Sequence, residues 1–240
     1  MRFTAFELAA AWGDPLARLA QIAPRLIDTD VALLPEQALS GYVSPTGDFD
    51  CTRFAEPLDG PVGTACAALA RERSFHLVAP LVLREGTAIF NAMACWGPDG
   101  APVFVYRKRH PWFPETWATP GPSPAPVVAI GGVRVTIAIC YDVHFLDDAS
   151  GRTPASSAAE GQCGGIDLAP ADVLLFPSAW VEEEDSRPQL LSALARQFGL
   201  HIANANWAPG VVRIPGQGGS AVFGPRGEVI ARGSRIDVEV

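Results

Sequence analysis

The chain has 240 residues, 48% of them hydrophobic, with a formal charge of −8 and a sequence pI near 5.0. This length and apolar content supply a sizeable core, and an acidic balance without clustered Lys and Arg excludes a nucleic-acid footprint. No apolar run reaches the roughly 18 residues of a membrane span, and an early acid, Glu7, replaces the basic region of a leader, so the expectation is a cytoplasmic protein with no membrane partner.

Two apolar periods alternate along the chain, which predicts α/β layering. Residues 2–8 read as a strand. Asp14 and Pro15 then supply a helix cap and a first-turn proline, and Leu16, Leu19, Ile22 and Leu26 recur at helical spacing, with Pro24 placed to kink that helix. Val31 to Leu34 form a short buried-strand run ending at Pro35-Glu36. A second helix is predicted from Val62 to Arg73 and a strand from His76 to Leu83. Ala88–Trp96 and Pro102–Arg107 flank Gly97-Pro98-Asp99-Gly100 and read as a hairpin. Val133–Ile139 is a strand that carries Cys140 at its end.

The stretch 146–170 is rich in Gly, Ser, Ala and acids, lacks periodicity, and reads as a long loop or inserted lid. A strand at Val173–Phe176, a helix at Pro188–Phe198, a strand at Leu200–Asn204 and a last hairpin across Gly224–Gly227 follow. No repeat or linker divides the chain, so residues 1–240 read as one domain. The five cysteines are scattered, odd in number and never form a Cys-x-x-Cys pair, and the four histidines lack ligand spacing. Neither a disulfide framework nor a metal site is expected.

Three chemically useful side chains fall at the ends of predicted strands. Glu36 follows Val31–Pro35, Lys108 follows Val103–Arg107, and Cys140 follows Val135–Ile139. In open α/β folds the carboxyl ends of strands are where ligands bind, so a carboxylate, an ammonium and a thiol there can converge from distant parts of the chain. A carboxylate can take the thiol proton during attack, and an ammonium can favour the thiolate or the oxyanion formed when sulfur adds to a carbonyl. Taken singly, each has a plainer reading: a strand-end surface acid, a solvated basic run, a buried structural thiol.

With these residues in place, the chain resembles the nitrilase, or carbon–nitrogen hydrolase, superfamily. Leu34-Pro35-Glu36-Gln37-Ala38-Leu39-Ser40-Gly41-Tyr42 is similar to the first motif of that family, Tyr106-Arg107-Lys108-Arg109-His110 to the second, and Ile139-Cys140-Tyr141-Asp142 to the third. Further echoes run through Asn91 and Gly97–Gly100, Ala171–Trp180, Ala205-Asn206 and Gly218–Glu228, so the likeness covers nearly the whole chain in the right order. The resemblance implies an α/β fold of four-layer αββα sandwich type. It implies Cys140 as nucleophile, Glu36 as general base and later proton donor, and Lys108 as oxyanion stabiliser. Glu115, in Phe113-Pro114-Glu115, looks like the second glutamate that positions substrate and lysine. The backbone N–H of Tyr141 is the expected second oxyanion donor. No metal or organic cofactor is required, and a homo-oligomer, a dimer or larger, is implied.

The pattern departs from the family in three places. His144 stands where an arginine is common, which makes it a candidate for substrate positioning; the stretch 146–170, with Cys163, is lengthened; and Leu194-Ala195-Arg196-Gln197 replaces the usual Arg-Ala-x-Glu. Trp112, Phe113, Trp117 and Trp180 are candidate pocket linings. The expected reaction is hydrolysis of a small non-peptide amide to a carboxylic acid and ammonia through a thioester. Nitrile or N-carbamoyl hydrolysis stays open within the same fold. From a different class, so does an inactive nitrilase-like binding or assembly module.

Overall fold

The computed structural model of the protein describes residues 1–9, 11–122, 124–147, 166–167, 171–181, 185–209 and 216–240. In chain order the first half holds β1 (Arg2–Phe6), β2 (Leu8–Ala9), α1 (Pro15–Ile22), β3 (Val31–Leu33), α2 (Pro61–Arg73), β4 (His76–Glu85), β5 (Ala88–Trp96) and β6 (Pro102–Arg107). The second half holds β7 (Val128–Ile130), β8 (Val133–Ile137), β9 (Leu146–Asp147), β10 (Ile166–Asp167), β11 (Val173–Pro177), α3 (Arg187–Phe198), β12 (His201–Ala205), β13 (Trp207–Ala208), β14 (Ala221–Phe223), β15 (Val229–Arg232) and β16 (Arg235–Glu239).

Local chemistry sets the helix ends. The Asp14 carboxylate accepts the Leu16 N–H at 2.9 Å and starts α1, and Pro24 turns its end into a 3-10 segment, Ala23–Arg25. At the start of α2 the Glu56 carboxylate accepts the N–H groups of Val62 and Gly63 at 2.8 and 3.0 Å, satisfying donors that have no partner within the helix.

Two six-stranded sheets form the centre, ordered β16-β1-β3-β4-β5-β6 and β15-β14-β12-β11-β8-β7. In the first, β1, β3 and β4 are parallel neighbours; in the second, β8, β11 and β12 are. Strand alternation divides the first sheet's side chains between two buried layers. Phe3, Val31, Leu33, Val78 and Met93 join Val135, Ile137, Leu174, Ile202 and Val222 of the second sheet and Leu191 and Leu194 of α3 in one core. Phe6, Ala32, Leu34 and Leu77 face the other way, against Leu19 and Ile22 of α1 and Cys66 and Leu69 of α2. The layers therefore run helix, sheet, sheet, helix, as the αββα expectation requires.

Several boundaries differ from the sequence reading. The strand expected over 2–8 breaks at Glu7, whose N–H bonds the Ser234 carbonyl while its carboxylate accepts the Ser220 N–H. The strand expected over 133–139 ends at Ile137, so Cys140 sits three residues past it and opens a 3-10 turn, Cys140–Phe145. Glu36 likewise lies three residues past β3. Strands β7 and β16 were not foreseen. The first pairs with β8 through Gly131-Gly132, both at positive φ as a two-residue hairpin turn requires. Within 146–170, the Leu146–Asp147 and Ile166–Asp167 strands pair in parallel. The rest of that expected loop, with Cys163, lies outside the described residues.

Candidate active site

The chain direction gathers the candidate residues at one rim. Because β4, β5 and β6 alternate in direction, the end of β6 lies on the same side of the first sheet as the end of β3, which brings Lys108 beside Glu36. The parallel strands β8 and β11 of the second sheet deliver Cys140 and Ala179 from their own carboxyl ends.

Glu36, Lys108 and Glu115 are all buried. Lys108 Nζ lies 2.7 Å from Glu36 Oε1 and 2.8 Å from Glu115 Oε1. Asn91 Nδ2 donates to the same two oxygens, at 2.7 and 3.2 Å, which fixes the orientation of its amide because both neighbours only accept. The result is a closed ring of two donors and two acceptors. Glu115 is held further by the Tyr42 hydroxyl at 2.7 Å on Oε1 and the Trp112 N–H at 3.1 Å on Oε2. Glu36 is steadied through its backbone carbonyl, which accepts the Trp207 indole N–H at 2.9 Å.

Electrostatics assigns a charge state to the lysine. Burial works against the ammonium, but the Glu36 and Glu115 carboxylates outweigh it and raise Lys108 above its ordinary pKa, so it stays charged. Burial raises the Glu115 carboxyl against the pull of Lys108, and the Glu36 charge adds to the rise. Two carboxyl groups thus share one ammonium.

Cys140 is half-buried and holds a φ of 45°, left-handed backbone that a non-glycine residue adopts at a cost of about 1–3 kcal/mol. A nucleophile on such an elbow projects beyond the strand ends. Burial and then the Glu36 charge push its thiol well above the ordinary range, opposed by Lys108 and by the Ala179 N–H. A thiol so placed is protonated at neutral pH and needs a base in order to attack. The Ala179 N–H donates to Glu36 Oε2 at 3.0 Å, so one backbone donor acts on both the carboxylate and the thiol. Oε1 is taken up by Lys108 and Asn91, which leaves Oε2 as the oxygen with capacity for the thiol proton.

A cavity of about 110 Å³ opens at the thiol, lined by Trp112, Cys140, Tyr141, His144, Ala179, Trp180 and Val181. His144 packs beside Tyr141 and Trp180, with ring centroids 5.2 and 5.6 Å away. Of the four aromatic residues expected to line a pocket, Trp112 and Trp180 do. Phe113 is 78% exposed and faces a neighbouring groove, and Trp117 is not on the wall. Sequence reasoning passed over Tyr42 and Asn91 as site residues. Asn91 did leave a signal: it is an amide inside an otherwise apolar strand, Ile89-Phe90-Asn91-Ala92-Met93, where an unpaired polar group is costly. Among the described residues no group of three His, Cys, Asp or Glu is placed to hold a metal, and no helix is long and apolar enough to cross a membrane.

A thiol at the lip of one small cavity, with a carboxylate and a charged lysine buried at the same rim of an αββα sandwich, defines a class before any comparison. The family model for carbon-nitrogen hydrolases matches residues 5–237, and the chain belongs to that family. Its relatives include a hydrolase in the pqqF 5′ region of Pseudomonas protegens, 28% identical over 90% of this chain and 72% of that protein. An (R)-stereoselective amidase of a Pseudomonas species is 29% identical over 68% of this chain and 57% of the enzyme. A nitrilase of Pyrococcus abyssi is 26% identical over 88% of this chain and 74% of the relative. Among solved structures, an amidase from Nesterenkonia sp. AN1, with the acetamide moiety of fluoroacetamide added covalently at its active-site cysteine, superposes with a TM-score of 0.79. It is 24% identical, and the match covers all of this chain and 90% of the other.

Proposed function

We propose that this carbon–nitrogen hydrolase cleaves a small non-peptide amide through a thioester on Cys140. Glu36 Oε2 takes the thiol proton as sulfur adds to the amide carbonyl. The charged Lys108 and the Tyr141 N–H receive the developing oxyanion, and Glu36 returns the proton to the departing nitrogen, which leaves as ammonia or an amine. Water, deprotonated by Glu36, then cleaves the thioester to a carboxylic acid and restores the thiol. Glu115 holds Lys108 in place, and His144 and the aromatic walls receive the acyl group.

The observation that carries this reading is the Ala179 N–H, which holds Glu36 Oε2 at 3.0 Å and also acts on the Cys140 thiol, while Lys108 is clamped by both carboxylates. A thiol pushed up by burial cannot rely on spontaneous ionisation, and Glu36, whose charge acts on that thiol, is the base this reading assigns to it. The assembly of the chain into a dimer or larger homo-oligomer belongs to the same proposal and is read by sedimentation velocity.

The test is a screen of short amides, nitriles and carbamoyl amino acids for released ammonia, with mass spectrometry of the quenched protein. An acyl adduct on Cys140, absent in Cys140→Ala, is the expected result, and Glu36→Gln should lower kcat by about 10²–10⁴-fold. Full activity in Cys140→Ala would overturn the mechanism. Faster turnover of nitriles than of amides would move the assignment to a nitrilase.

A further inference from the structure

We propose that Asp142 is a positioning residue that ties the Lys108 arm of one sheet to the Cys140 elbow of the other. The proposal rests on the roles assigned above to Lys108 and Cys140, and it concerns what sets the distance between them. Lys108 leaves the end of β6 and Cys140 follows β8, so the two groups are delivered by different sheets. The oxyanion formed when sulfur adds to a carbonyl needs its donors within about 2.7–3.1 Å. Something must hold the two rims together more closely than sheet packing does.

Asp142 is fully buried and its four acceptor positions are all used. Oδ1 accepts the His110 backbone N–H at 2.9 Å and lies 2.9 Å from His110 Nδ1. Oδ2 accepts the Tyr106 hydroxyl at 2.8 Å and the Ile139 N–H at 3.2 Å. Tyr106 and His110 lie two residues before and two after Lys108, and Ile139 and Asp142 bracket the elbow of Cys140. One carboxylate thus grips both flanks of the lysine and the backbone that enters the nucleophile's turn. Phe145, at the end of that turn, stacks on the His110 ring with centroids 3.8 Å apart and planes 11° from parallel, closing the joint from the other side. Three of its partners are fixed donors, the His110 and Ile139 N–H groups and the Tyr106 hydroxyl, and the His110 ring nitrogen is the fourth contact. The arrangement reads as a clasp, and Asp142 is not on the wall of the cavity at the thiol.

The purified whole protein tests this with three readouts. The first is kcat and KM for the best small amide. The second is the rate of Cys140 alkylation by iodoacetamide, measured across pH and referred to the thiolate, because Lys108 favours the thiolate but a displacement at carbon forms no oxyanion for it to receive. The third is the protection of Cys140 by a short aldehyde such as propanal. The thiol adds to the carbonyl, the C–S bond forms, the π electrons pass to oxygen and the thiol proton follows by way of Glu36. The product is a tetrahedral hemithioacetal seated where the oxyanion would lie.

Tyr106→Phe combined with His110→Ala loosens the lysine side and leaves the Asp142 bond to Ile139 intact. Its kcat should fall about tenfold or more, as a displacement of about 1 Å implies. Aldehyde affinity should fall in step, while KM stays within about threefold and alkylation within about twofold of the parent. Asp142→Asn, which puts an NH2 group against one pair of donors, should lose at least as much. A folded double variant that keeps its aldehyde affinity and kcat would overturn the proposal. So would a parallel loss of alkylation, since the network would then be supporting the elbow or the fold instead of the spacing. Aldehyde protection needs no turnover. A parent protein that hydrolyses no amide would therefore sink the proposed function and still leave the aldehyde comparison to decide this one.

Discussion

Cys140 is held in left-handed backbone with its thiol pushed up by burial and by Glu36, and this pairing makes an unusual prediction about reactivity. Carboxamide alkylation of the native protein should keep rising with pH beyond the ordinary thiol value of about 8.5. In Glu36→Gln the negative charge that opposes the thiolate is gone, so the midpoint of the alkylation profile should move down, measured as rate against pH. An unchanged or raised midpoint would show that Glu36 does not act on the sulfur. Cys51, Cys66 and Cys95 are buried free thiols, all raised first by burial and the last to about 12, and should stay unlabelled in the folded protein. Lys108 makes a second prediction at this scale. Removing it as Lys108→Ala leaves Glu36 and Glu115 facing each other without their cation in a dry site, and breaking a buried pair in this way costs about 3–5 kcal/mol. Urea unfolding should show that loss, and Lys108→Ala/Glu115→Gln should recover part of it by removing one of the stranded charges.

At the scale of elements, the last strand shows what the sequence hides. Strands β14 and β15 complete the second sheet, and the chain then crosses to the first, where β16 pairs antiparallel with β1 through Arg2 opposite Glu239 and Phe3 opposite Val238. Ile236 and Val238 enter the core between the sheets, so Ile236→Ala should cost about 2–5 kcal/mol in urea unfolding, with the core opened beside β1. A cost below about 1 kcal/mol would mean that the crossover packs loosely. Residues 235–239 do alternate, with Ile236 and Val238 buried between Arg235, Asp237 and Glu239, so the strand itself was there to read; its partner was not, because pairing between distant segments leaves no local signal. The strand β7 was hidden for a different reason, since three residues are too few to show alternation. Lys108 was legible because it directly follows a strand that ends at Arg107. Cys140 and Glu36 were legible one step less well, since short turns separate them from their strands. Glu115 depended on tertiary closure of the segment after β6, and Tyr42 on the turn whose backbone fits against Ala11 only through Gly41, where a Cβ would stand 1.8 Å from the Ala11 carbonyl oxygen. Motif order supplied Glu115 to the reading, hydrophobic pattern did not, and Tyr42 was passed over.

Charge is the property that belongs to the whole molecule. The chain carries a formal charge of −8, and its candidate site sets two carboxyl groups against one lysine, so the long-range field and the local one have the same sign. An approaching anion meets repulsion at both ranges, and a neutral amide meets neither. The cavity adds to the bias, for its described walls are mostly apolar and aromatic, with His144 in place of a fixed cation. Two substrates of similar size separate the effects: butyramide, which is neutral, and succinamate, which carries a carboxylate. For butyramide, kcat/KM should be indifferent to added salt. For succinamate it should be lower at low ionic strength and climb as salt is raised, because screening shortens the reach of the repulsion from about 30 Å at 0.01 M to about 10 Å at 0.1 M. His144→Arg should narrow the gap between the two substrates at every salt concentration without steepening the salt dependence, since one added charge in the wall changes binding at contact and hardly alters the field of the whole. If succinamate were instead the faster substrate at low salt, with a rate that falls as salt is added, the site would have to present a net positive face to the solvent, and the charge assignment of the Glu36, Lys108 and Glu115 cluster would be wrong.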